Sequence, residues 1–118
     1  MPQVNRKARN ALLAAIPYQI ERSLQQLGRN LKTARLRRNL TTAEVAEKIG
    51  ASRFTVADAE NGKPSTGIAV YAALLWTYGL ADQLDALADP SHDAEGSALA
   101  LNNDRLRARH RRRLDNDF

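Results

Sequence analysis

The stretch "TTAEVAEKIGASRFTVADAENGK", Thr41 to Lys63, decides the reading of this chain. Thr41 with Glu44 three residues on is the capping-box pattern that opens a helix. Val45, Ala46 and Ile49 follow as its buried side. Gly50 stops it, because a helix end at positive φ is easy only for glycine. Ser52 caps a second helix at once, which runs to about Glu60, and "NGK" ends that one.

The residue types inside this turn are specific. Ala46 is small where the next helix crosses above it, and Gly50 takes the left-handed conformation. Val56 and Ala59 lie on the inner side of the second helix and lock it against the first. Two short helices joined by three residues with this pattern predict a helix-turn-helix. The alternative is an αα-hairpin in an ordinary helical bundle.

Working outward, residues 5–16, "NRKARNALLAAI", predict a short basic helix that Pro17 ends, unless Pro17 opens the next element. Ile20, Leu24, Leu27, Leu31 and Ala34 recur at helical spacing and predict a helix from about Tyr18 to Arg38. Gly28 inside it reads as a cost of about 1 kcal/mol. After "PST", Ser65 or Thr66 is expected to cap a fourth helix. Its apolar stripe is Ile68, Tyr71, Leu74, Leu75 and Tyr78, and Gly79 closes it. Leu80, Leu84 and Leu87 mark a fifth, short helix that halts at Pro90. "SHDAEGSALALNN" reads as a weakly ordered linker or a loose helical turn. The expected organisation is an N-terminal extension at 1–16, a five-helix all-α domain at 17–89, and a linker with an arginine-rich tail at 90–118.

Composition excludes several classes. The chain has 118 residues and no cysteine, which rules out disulfides and thiolate metal sites. No run reaches the roughly 18 apolar residues of a membrane span, and "ALLAAI" is too short for a signal peptide core. A soluble cytoplasmic protein is the default expectation. His92 and His110 stand without ligand-spaced companions, so no metal or cofactor is expected. Neither a nucleophile–base set, a carboxylate pair nor a phosphate loop is present, so an enzyme is not expected.

Charge is segregated along the chain. Residues 1–63 hold 12 Lys/Arg against five acids, and residues 64–104 hold six acids and no Lys or Arg. Residues 105–118 hold six arginines against two aspartates. That pattern points to a basic face meeting an acidic polymer, with an opposite surface left for something else.

The outward face of the second turn helix carries the candidate recognition set. Arg53 can bridge guanine O6 and N7, Phe54 can pack on a thymine methyl, and Asp58 can accept from cytosine N4. Against this, Asp58 is otherwise solvated or paired with Arg53 or Lys63, and a rotated helix would bury Phe54. Thr42, Ser52, Thr55, Asn61 and Lys63 are the candidate phosphate contacts. Arg35, Arg37 and Arg38 offer long-range attraction or simply a solvated face.

Residues 27–80, "LGRNLKTARLRRNLTTAEVAEKIGASRFTVADAENGKPSTGIAVYAALLWTYGL", resemble the XRE-type, lambda-repressor-like helix-turn-helix of phage repressors and bacterial regulators. The sequence departs from the common pattern at Thr42, where many members carry glutamine. The remainder, "LADQLDALADPSHDAEGSALALNNDRLRARHRRRLDNDF", resembles the C-terminal part of HipB-like antitoxins. The resemblance implies a homodimer that represses its own operon on a palindromic operator and binds a HipA-family kinase toxin.

Trp76 and Tyr78 are candidates for a dimer or partner interface, because Leu74, Leu75, Trp76 and Tyr78 crowd one helix. Leu114 and Phe118 are candidate anchors for a partner. The Arg105–Arg113 cluster reads as a phosphate-tracking arm, an amphipathic helix for an acidic partner, or a solvated tail. The leading expectation is a sequence-specific repressor of double-stranded DNA, with antitoxin function favoured over a stand-alone or phage-type regulator. The rivals are a protein-interaction module without specific DNA binding, and charge-driven nucleic-acid binding.

Overall fold

A computed structural model describes residues 11–116. Residues 11–14 are helical, and α1 (Tyr18–Arg37), α2 (Thr42–Ile49), α3 (Arg53–Glu60), α4 (Ile68–Thr77) and α5 (Ala81–Asp85) follow. A 3₁₀ turn at Pro90–His92 then leads to α6 (Ala94–Asn116). Among the described residues there is no strand, so the fold is all-α as expected. Residues 1–10, which include the start of the expected N-terminal helix, lie outside the described residues. The chain divides into two units between Leu84 and Asp85.

Helix ends in the first unit follow from capping chemistry. The Thr41 hydroxyl accepts the Glu44 amide at 3.1 Å, and the Glu44 carboxylate accepts the Thr41 amide at 3.2 Å, which completes the capping box. Gly50 sits at φ 72°, and the Ala51 amide donates to the Ala46 carbonyl at 2.9 Å. The same wrap ends α1, α3 and α4 at Asn39, Gly62 and Gly79, all at positive φ.

The core gathers Leu31 from α1, Val45 and Ala46 from α2, Val56 and Ala59 from α3, and Tyr71, Leu74 and Leu75 from α4. α1 contributes only its C-terminal half. At about 1.5 Å per residue its 20 residues outrun the eight-residue helices beneath, so Tyr18 and Ile20 stand exposed. Ile20 therefore leaves the predicted buried stripe.

Gly28 proves to be more than a tolerated cost. A Cβ built there would lie 2.7 Å from the Ala59 carbonyl oxygen and nearer still to that of Glu60. On the facing segment, a Cβ on Gly62 would lie 2.6 Å from the Gln25 amide nitrogen. The two glycines let the backbones of α1 and the end of α3 touch, which fixes where α3 sits.

An ion pair reinforces that crossing. Arg35 Nε donates to Glu60 Oε2 at 2.7 Å and Nη2 to Oε1 at 3.0 Å, while Nη1 donates to the Leu40 carbonyl at 2.9 Å. Both side chains are buried. The Glu60 hydrogen bonds raise the Arg35 pKa against the opposing effect of desolvation. Arg35 is thus a structural tie rather than a source of long-range attraction. Arg38 is also engaged, donating to the carbonyls of Ala34 at 2.8 Å and Tyr78 at 2.9 Å.

Three further expectations shift. α4 is capped by Gly67 without a side-chain bond, not by Ser65 or Thr66. The Thr66 amide closes a turn on the Lys63 carbonyl at 3.0 Å, and the Thr66 hydroxyl is buried without a hydrogen-bond partner, so it caps nothing. α5 ends at Asp85 rather than reaching Pro90, because Ala88 turns to φ 57° and leaves Leu87 exposed. In the second unit, residues 94–116 form one helix of 23 residues where a loose linker and tail were expected. Asp93 Oδ1 accepts the Gly96 amide at 2.9 Å and opens it, and an Ala/Leu-rich first half propagates it.

Candidate nucleic-acid interface

α3 splits cleanly into two sides. Val56 and Ala59 are 0% exposed and hold the helix to α1, α2 and α4, while Arg53 and Phe54 project outward. Phe54 is 68% exposed, so the rotated alternative that buries it does not hold. The Arg53 guanidinium lies over the Phe54 ring, 5.2 Å from its centroid. At an exposed site such a contact contributes about 0.5–1 kcal/mol, enough to bias both side chains toward one arrangement.

Asp58 and Asn61 complete the outer face one turn on, at helical spacing from Phe54 and Ala57. Ala57 was missed by sequence reasoning. It stands half-buried four residues from both Arg53 and Asn61, at the centre of the outer face. Its i+4 position from Arg53 was the available signal. A methyl there keeps the face shallow enough for close approach to a base edge.

Asp58 is not simply solvated: its Oδ2 lies 3.6 Å from Lys63 Nζ, with both side chains about half exposed. An exposed pair of this kind is worth about 0–1 kcal/mol, so it opens easily. The face thus holds two cations, Arg53 and Lys63, with one carboxylate between them.

The N-terminus of α3 supplies directed donors. Ser52 Oγ accepts the Thr55 amide at 3.2 Å and shares a hydrogen bond with Thr55 Oγ1 at 3.1 Å. With those hydroxyls turned on each other, the first open donors of α3 are the backbone amides of Arg53 and Phe54. Positive dipole and open amides make this a seat for one phosphate. Thr42, half-buried, begins α2 directly after the cap, and Asn61 ends α3.

The other predicted residues separate. Trp76 is 70% exposed next to Lys48 and Thr77. Tyr78 is 4% exposed and belongs to the core, not to an interface: Arg38 closes over its ring at 5.4 Å from the centroid. Burial, helped by the Glu60 carboxylate, raises its pKa. Leu114 is exposed on α6, and Phe118 lies outside the described residues. No described helix is long and apolar enough to cross a membrane.

Two helices locked at a three-residue turn, the second presenting a polar face with two cations and one carboxylate, form a helix-turn-helix. The helix-turn-helix domain family matches residues 26–87, more than half of the chain. The chain belongs to that family and is a DNA-binding transcription regulator of the XRE-like kind. A search of curated proteins finds no match.

Proposed function

We propose that the protein is a sequence-specific repressor, a binding protein rather than an enzyme, which pairs as a homodimer on a palindromic operator. The observation that carries this is the two-sidedness of α3. A helix whose inner residues are fully buried offers an outer face that cannot rotate away, and Arg53 and Phe54 stand ordered on it.

On the duplex, the amides of Arg53 and Phe54 take one phosphate and fix the register of the helix. Arg53 then addresses guanine O6 and N7, and Phe54 with Ala57 covers a thymine methyl. Lys63 exchanges Asp58 for a phosphate, which frees the carboxylate to accept from cytosine N4. An acid that remained unpaired beside phosphates would weaken all binding, so this exchange favours the matching base.

Pairing is supported by α4. Its ten residues contain no charge, yet Ile68 and Trp76 stand exposed on one face, two turns apart with Ala72 between them. A helix apolar all round is normally covered. Two half-sites about 34 Å apart would give a dimer the affinity that one α3 lacks.

Selection from a random duplex library tests the reading. A palindrome should emerge, and Arg53→Ala should relax one base pair in each half-site at a cost of about 1–3 kcal/mol. If Arg53→Ala weakens every duplex equally, the residue is only a phosphate contact and the assignment fails. A second role as the antitoxin of a HipA-like kinase rests on the resemblance of residues 80–118 to HipB-like antitoxins. Its check is whether the chain suppresses the kinase activity of a HipA-like protein from its own operon.

A further inference from the structure

The second unit carries a surface that α3 does not explain. Every described side chain from Ser97 to Leu114 is exposed, so nothing in the helix itself needs six arginines. Three of them are ordered by the helix: Arg105, Arg109 and Arg112 recur at i, i+4 and i+7, one face of α6. With Ala108 they line a shallow cleft on that face. Arg107 and Arg111 fall on the opposite face, and Leu99 and Leu106 on a flank between the two. No described carboxylate lies within ion-pair distance of any arginine of the cluster. Like charges at i, i+4 repel along a helix, and Arg105 with Arg109 is such a pair. An anion seated across the stripe relieves that repulsion.

We infer that the Arg105–Arg109–Arg112 stripe of α6 is a second nucleic-acid-binding element that seats phosphates of a duplex backbone without reading bases. The three guanidinium groups span about 10 Å of helix axis at about 1.5 Å per residue. Forks about 6 Å and 4.5 Å apart along the axis, each on a long flexible stem, suit a polymer whose successive phosphates accept bidentate donors. An acidic protein is the poorer fit, because between Arg105 and Arg112 the only apolar group on the stripe is the Ala108 methyl, and Leu101, exposed one turn before Arg105, stands alone at its edge. Tethered to a unit already on DNA, the stripe acts at high local concentration and adds affinity to any sequence. The inference rests on DNA binding by this chain but not on base reading by α3.

The test uses the full chain and a random-sequence duplex, with affinity followed by fluorescence anisotropy across a series of NaCl concentrations. The triple variant Arg105→Gln, Arg109→Gln, Arg112→Gln should flatten the slope of log K against log salt by about 2.7, roughly 0.9 for each phosphate no longer neutralised. Arg107→Gln with Arg111→Gln, off the stripe, should flatten it far less per charge. The lysine triple variant keeps the charges and should keep the slope, which excludes unfolding of α6 as the cause; a slope that flattens there too overturns the assignment. So does an unchanged slope in the glutamine variant, or the same change per charge on both faces. Loss of poly-glutamate binding with DNA binding intact would overturn it in favour of an acidic protein partner. If wild type shows no preferred sequence while the triple variant still flattens the slope, base reading by α3 fails and the stripe stands.

Discussion

Gly28→Ala separates two effects of opposite sign. Helix propensity alone makes alanine better than glycine in a helix interior by about 1 kcal/mol. The structure places the new methyl 2.7 Å from the Ala59 carbonyl oxygen and closer to that of Glu60. These are backbone atoms at the end of α3, so no rotamer change relieves the contact. α1 and α3 have to separate by several tenths of an ångström or more. Overpacking of this kind costs about 1–3 kcal/mol when side chains can yield, and a backbone obstacle puts it at or above the upper end. Subtracting the propensity gain leaves a net loss of about 2 kcal/mol. For a unit of this size each kcal/mol lowers Tm by about 4–8 °C, so a drop of roughly 8–16 °C is expected. Thermal and urea unfolding followed by circular dichroism measure it. A variant as stable as wild type, or more so, would refute the close crossing. The same displacement should blur base preference, because the crossing sets where α3 lies.

The Arg35–Glu60 pair predicts strong non-additivity. Arg35→Met leaves the buried Glu60 carboxylate uncompensated and should cost about 3–5 kcal/mol, whereas Arg35→Met with Glu60→Leu should recover most of that; a double variant whose loss in urea unfolding equals the sum of the Arg35→Met and Glu60→Leu losses would show the two are uncoupled. Thr41→Ala removes the capping box and should cost about 1 kcal/mol in the same assay, with no change in which DNA sequence is preferred. Ser52→Ala removes a cap of similar worth, but the substitution should also weaken binding to every duplex, since it loosens the phosphate seat at Arg53 and Phe54. Asp89 has its pKa lowered by the Ser91 amide, then by the Ser91 hydroxyl, both 2.9 Å away. A depressed carboxylate contributes above its unfolded-state pKa and loses that contribution as pH falls through the folded value. The Ser91 amide proton resonance should therefore titrate on acidification below the usual carboxylate range as Asp89 is protonated and the hydrogen bond weakens, and Asp89→Ala should abolish that titration.

The turn was legible because its chemistry is local. Thr41 with Glu44, Gly50 and Ser52 each satisfy or release backbone groups within four residues, so their spacing in the chain is already their spacing in space. The outer face of α3 was legible in type for the same reason, as helical phase puts Arg53, Phe54 and Asp58 opposite Val56 and Ala59. Ala57 escaped because its residue type is that of a core alanine, and only its i+4 phase from Arg53 set it on the outer face.

What only the tertiary structure decided are contacts between residues far apart in the chain. Arg35 read as a free surface charge until Glu60, 25 residues on, was found holding it by two hydrogen bonds. Tyr78, on the apolar stripe of its helix, and Trp76, off it, both read as interface candidates, yet packing buried one and left the other in solvent. Gly28 read as a weakness until the α3 backbone was seen against it. Periodicity and capping are properties of a single helix and are written in its own residues. Which face of that helix meets which neighbour depends on the whole assembly of helices, and no local pattern encodes it.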